Sequence, residues 1–504
     1  MRRVGILILA VLIVSNSRAQ SNEKDTFSLT LQNVVDLAIN QSSSVKYAQN
    51  RYENYYWRWK NFQAQFRPQL VVEGNLPNYY EGTEPVKQGD GSIEFREVGR
   101  FNNNVALSVN QSIPQTGTRI YASSSVIRNQ DLLKDEVSFS GDPYKIGFTQ
   151  PVFAYNWMKW ALKTEPMVYN EAQKDFVETI EEISRNATWR FFKYLRVQTN
   201  YKLAENNLAN SKDNLRIAET KRKLGTISEN DYSRIRLSVL TAQKSLTQAS
   251  MDLKNADFEL KSYIGLDQHT QIELIMPLNM FLFQVDPEMA LSEALENRKE
   301  TTQYKRRLVE AERELTKAKR GNGLSATLHG SYGTSNIAYD WPGVYDEPAN
   351  QKYLRLSFSI PILDWGKSSS NVKLAESRRD LVVFDVERDR ENFERTVVVQ
   401  VEQFSLLKAQ LEIAEEADLV ANNGYMIALK KFQNGEISIA DLNISLSERE
   451  KAKRDYINSL ETYWVAYYRL RELTLYDFEK GQKIMYDNPL LGGLLKKAKP
   501  VDNI

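Results

Sequence analysis

The sequence predicts a mixed α and β membrane protein, in which two-faced strands lead into very long helices and the whole pattern occurs twice. Three observations predict it. Residues 354–366 read LRLSFSIPILDWG, and Leu354, Leu356, Phe358 and Ile360 alternate with Arg355, Ser357 and Ser359. That period of two marks a strand with one apolar and one polar face. Pro361 has no N–H to give to a ladder, so the strand stops there, and a charged helical pattern follows Gly366 with no proline before Pro489. Residues 148–156, FTQPVFAYN, repeat the junction, with Phe148 matching Phe358 and Pro151 matching Pro361 (358 − 148 = 210). Finally, 14 Pro and 22 Gly in 504 residues are few, which favours long regular elements.

Composition narrows the function classes. A net charge of +1 gives no footprint for nucleic acid. The absence of cysteine removes disulfides and thiolate metal sites, and two histidines, His269 and His329, leave little for a metal or catalytic centre. No cofactor and no catalytic constellation is expected. Arg2 and Arg3, the apolar run from Val4 to Val14, and Ser17-Arg18-Ala19 read as a secretory signal peptide over 1–19, with the mature chain starting near Gln20. Eleven apolar residues are short for a spanning helix. With no later run suited to a spanning helix, a secreted chain enters a membrane only as a β-barrel.

In chain order, Leu29–Asn40 opens a helix that Tyr47–Phe66 continues until Pro68. Leu70, Val72, Gly74 and Leu76 mark a first strand. Residues 77–102, with their prolines and glycines, read as a long surface loop. Val105, Leu107, Val109 and Ile113 mark a second strand. Residues 118–127 alternate more weakly, and a second loop runs to Pro143 before the strand at 144–152. Helical pattern fills 157–223, a length of roughly 100 Å that suits a coiled coil. The chain turns at Leu224-Gly225-Thr226 and returns over 228–264. Residues 265–287 read as irregular, 290–320 as helix, 324–332 as strand and 333–352 as loop. After the opening strand come helix 367–433, a turn at Asn434-Gly435-Glu436, helix 439–480 and a Gly- and Lys-rich tail.

Offsets tie the halves together. Gly225 and Gly435, Asp231 and Asp441, and Asp267 and Asp477 all differ by 210, whereas Ala38 and Ala294, like Gly74 and Gly330, differ by 256. The first repeat therefore covers 20–286, with 46 extra residues (256 − 210) that add a strand pair; the second covers 287–482, and 483–504 is a tail. Along the second long helix Phe404, Leu407, Leu411, Ala414, Asp418, Ala421, Tyr425, Ala428 and Phe432 are spaced 3 and 4 in turn, the spacing of a coiled-coil seam. Strands with apolar outer faces and free edges must close in lipid. One chain offers four to six strands of membrane length, so several chains must share one barrel under cyclic symmetry. Tyr79, Tyr80, Tyr144, Phe153, Tyr155, Trp157, Tyr339, Trp341, Tyr353 and Trp365 sit at strand ends, as interfacial girdles do.

At this point the chain resembles the TolC family of outer-membrane efflux ducts. The resemblance rests on Leu29–Asn40, FTQPVF at 148–153, FSIPILDWG at 358–366, KLGTISENDY at 223–232 and FQNGEISIADL at 432–442, in that duplicated order. It implies a homotrimer, a transmembrane β-barrel shared in the outer membrane, and a long α-helical coiled-coil tunnel in the periplasm. It also implies a periplasmic adaptor (membrane fusion) protein and an inner-membrane pump as partners, for efflux or type I secretion. The competing expectation is a periplasmic coiled-coil scaffold without a pore. By similarity, Leu224, Gly225, Thr226, Asn434, Gly435 and Glu436 are the adaptor-docking tips, and Asp231 and Asp441 are gate acids at the tunnel mouth. An acid there also favours its own helix dipole. Where the family commonly has a tyrosine and an arginine, this chain has Phe432 and Ile437, and Ile444 replaces a second acid, so Phe432 is a candidate apolar constriction. Pro151, Pro361 and Gly366 mark the barrel-to-tunnel junction.

Overall fold

The computed structural model describes residues 27–277, 283–434 and 436–486. The signal-peptide expectation over 1–19, Gly435, and the tail from 487 lie outside the described residues. The chain separates into two units. One draws its described residues from 27–43, 186–277 and 414–461, and the other from 44–185, 283–413 and 462–486.

The second of these carries the sheet. Helix α2 (Ser43–Gln65) is followed by β2 (Gln69–Asn75), β3 (Tyr79–Lys87), β4 (Ile93–Ile113), β5 (Thr118–Asp131) and β6 (Glu136–Val152). After α5 (Pro287–Asn297) and α6 (Lys299–Gly321) come β8 (Ser325–Ala338) and β9 (Ala349–Ser359); β1 and β7 belong to the other unit. The strands form one sheet in the order β2-β4-β5-β6-β8-β9, with β3 paired to the outer part of β4. Three expected loops are largely strand. Residues 77–102 hold β3 and the start of β4, 128–143 is occupied by β5 and β6 around a turn at 132–135, and β8 runs on to Ala338. Beyond the apolar band the strands are mostly polar, with only short alternations such as Ile93 and Phe95, so the period-two signal fades although the ladder continues.

Register places the apolar residues on one face. Leu70 lies opposite Val109, Val109 opposite Ala122, Ala122 opposite Ile146, and Ile146 opposite Tyr332. Leu354 faces Gly330, which faces Phe148. Every residue of β9 is exposed, with Leu354 at 74% and Phe358 at 70%. An apolar sheet face that open has no occupant among the described residues.

The helices of this unit are joined by a buried charge network. Arg471 contacts Glu181 at 2.9 Å and Asp477 at 2.6 Å, and Arg298, which separates α5 from α6, contacts Glu178 at 2.8 Å and Glu300 at 2.6 Å. Removing one partner from such a buried pair costs on the order of 3–5 kcal/mol, because the other charge is left unpaired. Phe404 stacks on Tyr463 at 5.3 Å beside it.

The other unit is built from long helical segments, residues 186–223, 229–264, 414–433 and 439–461; the remaining parts of three of these helices belong to the sheet-bearing unit. It starts with β1 (Phe27–Leu29), which pairs in parallel with β7 (Ile272–Leu274). Thr30 and Asn33 form a capping box that starts α1 (Leu31–Gln41). Helices α3 (Trp157–Lys223) and α7 (Lys367–Gln433) are each 67 residues, and α4 (Glu229–Ile264) and α8 (Ile439–Thr474) are each 36. After Thr474 the chain makes the two-residue strands β10 (Tyr476–Asp477) and β11 (Gln482–Lys483) instead of continuing the expected helix to 480. In the hairpin unit Phe191, Phe192, Leu260 and Ile264 are fully buried, and the Tyr194 hydroxyl donates to the Ile272 carbonyl at 3.2 Å. Along the α7 seam Tyr425 and Ala428 are buried, and the one acid of the heptad pattern, Asp418, meets Lys453 of α8 at 2.9 Å.

Candidate functional site: two helical tips and two junctions

Both tips share one backbone bond, from the residue after the turn glycine to the carbonyl five residues before it. At the first, Gly225 N–H donates to the Arg222 carbonyl at 3.0 Å and Thr226 N–H to the Lys221 carbonyl at 2.9 Å. This is a Schellman closure, and Gly225 takes the positive φ of 67° that it needs. At the second, Glu436 N–H donates to the Lys431 carbonyl at 2.9 Å and Asn434 N–H to the Lys430 carbonyl at 3.1 Å. Leu224 is 71% exposed, and Thr226, Asn434 and Glu436 are exposed with it.

The side chains that hold the tips differ. At the first, Arg222 Nε donates to Glu229 at 2.8 Å and its guanidinium lies 4.4 Å over the Tyr232 ring, in open solvent. At the second, the matching positions are Phe432, Ile439 and Leu442 (432 − 222 = 210). There Tyr425, Ala428 and Leu442 are buried, and Leu429, Phe432, Ile437, Ile439 and Leu446 pack on them. Phe432 thus spends one face on its own hairpin. Arg449 covers Tyr425 at 3.9 Å, and Asn210 Nδ2 donates to the Tyr425 hydroxyl at 3.3 Å.

The two candidate acids are capping groups in the chain. Asp231 N–H donates to Ser228 Oγ at 3.1 Å, and that hydroxyl donates back to the Asp231 carboxylate at 2.6 Å. Asp441 N–H donates to Ser438 Oγ at 3.2 Å, while Ser438 N–H and Oγ donate to Asp441 at 3.1 and 2.7 Å. These bonds from the Ser438 side chain and then its backbone hold the Asp441 carboxyl below the usual carboxylate range. Both acids are exposed.

The junctions are less alike than the repeat suggests. Pro151 does not end its strand: it lies in register opposite Thr327, and β6 runs one residue further. Pro361 does follow the end of β9 at Ser359. Helix α3 is capped by Asn156, whose Oδ1 accepts from Lys159 N–H at 3.2 Å and whose Nδ2 donates to the Pro114 carbonyl at 2.8 Å. Helix α7 is capped by Asp364, which accepts from Ser368 N–H at 2.8 Å and Gly366 N–H at 3.0 Å. Gly366 has a φ of 84° and Trp365 of 54°. The two capping residues are not in equivalent positions, which is why the offset alone did not find them. Among the described residues no group of His, Asp or Glu could hold a metal ion.

Residues 290–474 match the outer membrane efflux protein family. No curated protein sequence matches the chain. In fold, the chain is similar to the CmeC outer membrane channel of Campylobacter jejuni, with a TM-score of 0.64 and 14% identity over 97% of this chain and 96% of that one. A membrane protein from Pseudomonas aeruginosa gives 0.63 and 14% identity over 90% of each chain. The outer membrane protein VceC of Vibrio cholerae gives 0.61 and 13% identity over 90% of this chain and 96% of that one. At such identities the likeness is one of fold.

Proposed function

We propose that this chain, an outer-membrane efflux protein of the TolC kind by its family match and its fold, is the exit duct of an export system. It is a channel protein of the outer membrane and not an enzyme. Three copies close one barrel, and their helices continue it as a periplasmic tunnel. The observation that carries this is the sheet: an exposed apolar face, with β2 and β9 as its ends. Free edges are not tolerated in hydrocarbon, and a six-strand path is too short for a private barrel of tunnel width. Partner copies must pair the edges. The apolar face also separates this proposal from a pore-free scaffold, which would have no need of detergent.

The glycine tips are the contact for a periplasmic adaptor, which brings an energised inner-membrane pump to the duct. Exposure of Leu224, Thr226, Asn434 and Glu436 supports this assignment, since exposed polar turns on rigid helices suit docking. Asp231 and Asp441 stand one turn behind the tips and act as the charged rim of the mouth. Mass measurement of the purified full chain in detergent tests the assembly: a stable trimer is expected, and a stable monomer would exclude the shared barrel.

A further inference from the structure

At the helix-side end of the sheet, α2 and α3 form an aromatic ladder. Trp59 stacks on Phe62 at 5.6 Å and on Tyr169 at 5.8 Å, Phe62 meets Phe66 at 5.1 Å, and Phe66 meets Trp157 at 6.4 Å. The ladder is tied to the sheet. Gln111 Nε2 donates to the Phe66 carbonyl at 2.8 Å, and Asn156 holds the β4–β5 turn through Pro114. It therefore sits where the apolar sheet face ends. Four cations flank it: Lys60, Arg67, Lys159 and Lys163. The last three are exposed, and none of the four makes an ion pair among the described residues. Lys163 lies 5.0 Å over Trp160 and Lys60 lies 5.5 Å over Tyr56. By contrast Arg58, in the same stretch, is neutralised by Glu165 at 2.8 Å. The turns at the opposite end of the sheet carry both signs, with Lys87 and Lys134 close to Asp90, Asp135 and Glu136.

We infer that this cationic, aromatic collar binds the anionic headgroups of the membrane leaflet on the helical side. The inference rests on the barrel proposed above. Aromatic rings with unneutralised lysines and arginines at the edge of an apolar face match a headgroup layer: the rings sit at the boundary and the long cationic side chains reach the phosphates. A cation near an anionic leaflet gains roughly fivefold in affinity, so four together outweigh screening at moderate salt.

The test compares lipid retained by the full chain after extraction from vesicles of equal phosphatidylglycerol and phosphatidylethanolamine. The wild type is expected to retain phosphatidylglycerol several-fold above its share, and to lose this enrichment at high salt. Lys60→Gln, Arg67→Gln, Lys159→Gln and Lys163→Gln together should bring retention back to the bulk ratio, while Lys159→Arg with Lys163→Arg should keep it. Bulk-ratio retention by the wild type, or equal enrichment in the quadruple Gln variant, would overturn the collar. Insertion into neutral phosphatidylcholine vesicles is scored separately, and its failure would instead count against the barrel itself.

Discussion

The two tips share a backbone and differ in what holds them. Each ends a 67-residue helix with a backbone bond from the residue after the turn glycine back to the last helical turn, and restarts with a serine cap and an acid three residues on. Between those fixed points the first tip uses Arg222, Glu229 and Tyr232 in water, and the second uses Phe432, Ile439 and Leu442 around a small core. Two further matched pairs change in the same sense, Glu219 to Leu429 and Arg236 to Leu446 (429 − 219 = 210). A salt-screened clasp opens easily, whereas an apolar core opens only by exposing its surface to water. The first tip is thus expected to open more readily than the second.

The largest effect is expected from Leu442→Ala, because Leu442 is buried in the second tip. Deleting a packed leucine costs about 2 kcal/mol or more. Amide hydrogen exchange across 425–446 should speed up markedly while 215–236 stays unchanged. Equal acceleration at both tips would erase the distinction. Gly225→Val comes next. A β-branched residue at a φ of 67° costs about 1–2 kcal/mol, and open space around the position means the strain is conformational and not a clash. Export should fail while the trimer still assembles, and export that survives would remove the docking role from this turn.

A smaller effect follows from the clasp. Arg222→Gln should loosen the first tip in low salt and be nearly silent in high salt, as exposed pairs are. Grafting the clasp by Phe432→Arg, Ile439→Glu and Leu442→Tyr should make the second tip salt-sensitive in turn. Hydrogen exchange measured at two salt concentrations reads both changes. The smallest concerns Asp441. Its carboxyl is held below the usual range, so its capping contribution is present above the unfolded value and is lost as pH falls through the lowered folded one. Cation block of the mouth should therefore persist at mildly acidic pH and vanish in Asp441→Ala. Unchanged block in that variant would move the gate to Asp231.

Much of this was legible in the sequence, for physical reasons. Long helices declare themselves through heptad spacing and the scarcity of breakers, with Pro166 tolerated three turns into the first, so 157–223 and 367–433 could be read to the residue. Strands were legible only where one face is apolar. Tyr79–Lys87 carries polar groups on both faces and looked like a loop. The parallel pair β1 and β7 has three residues a side, too few for a periodic signal. Arg298 interrupts a helix with no proline or glycine to mark it, because its charge partners fix the break. At the tips, glycine and serine announced the turns. The polar-to-apolar exchange was also present in the 210-residue offset, but it becomes a contrast in mechanism only once Phe432 is seen against Leu442's cluster.

The most direct measurement is the conductance of the purified full chain in planar bilayers. The account predicts discrete channel steps with a low resting level, raised by Phe432→Ala and nearly unmoved by Arg222→Gln in high salt. Inserted protein that conducts nothing in any of these forms would contradict a duct.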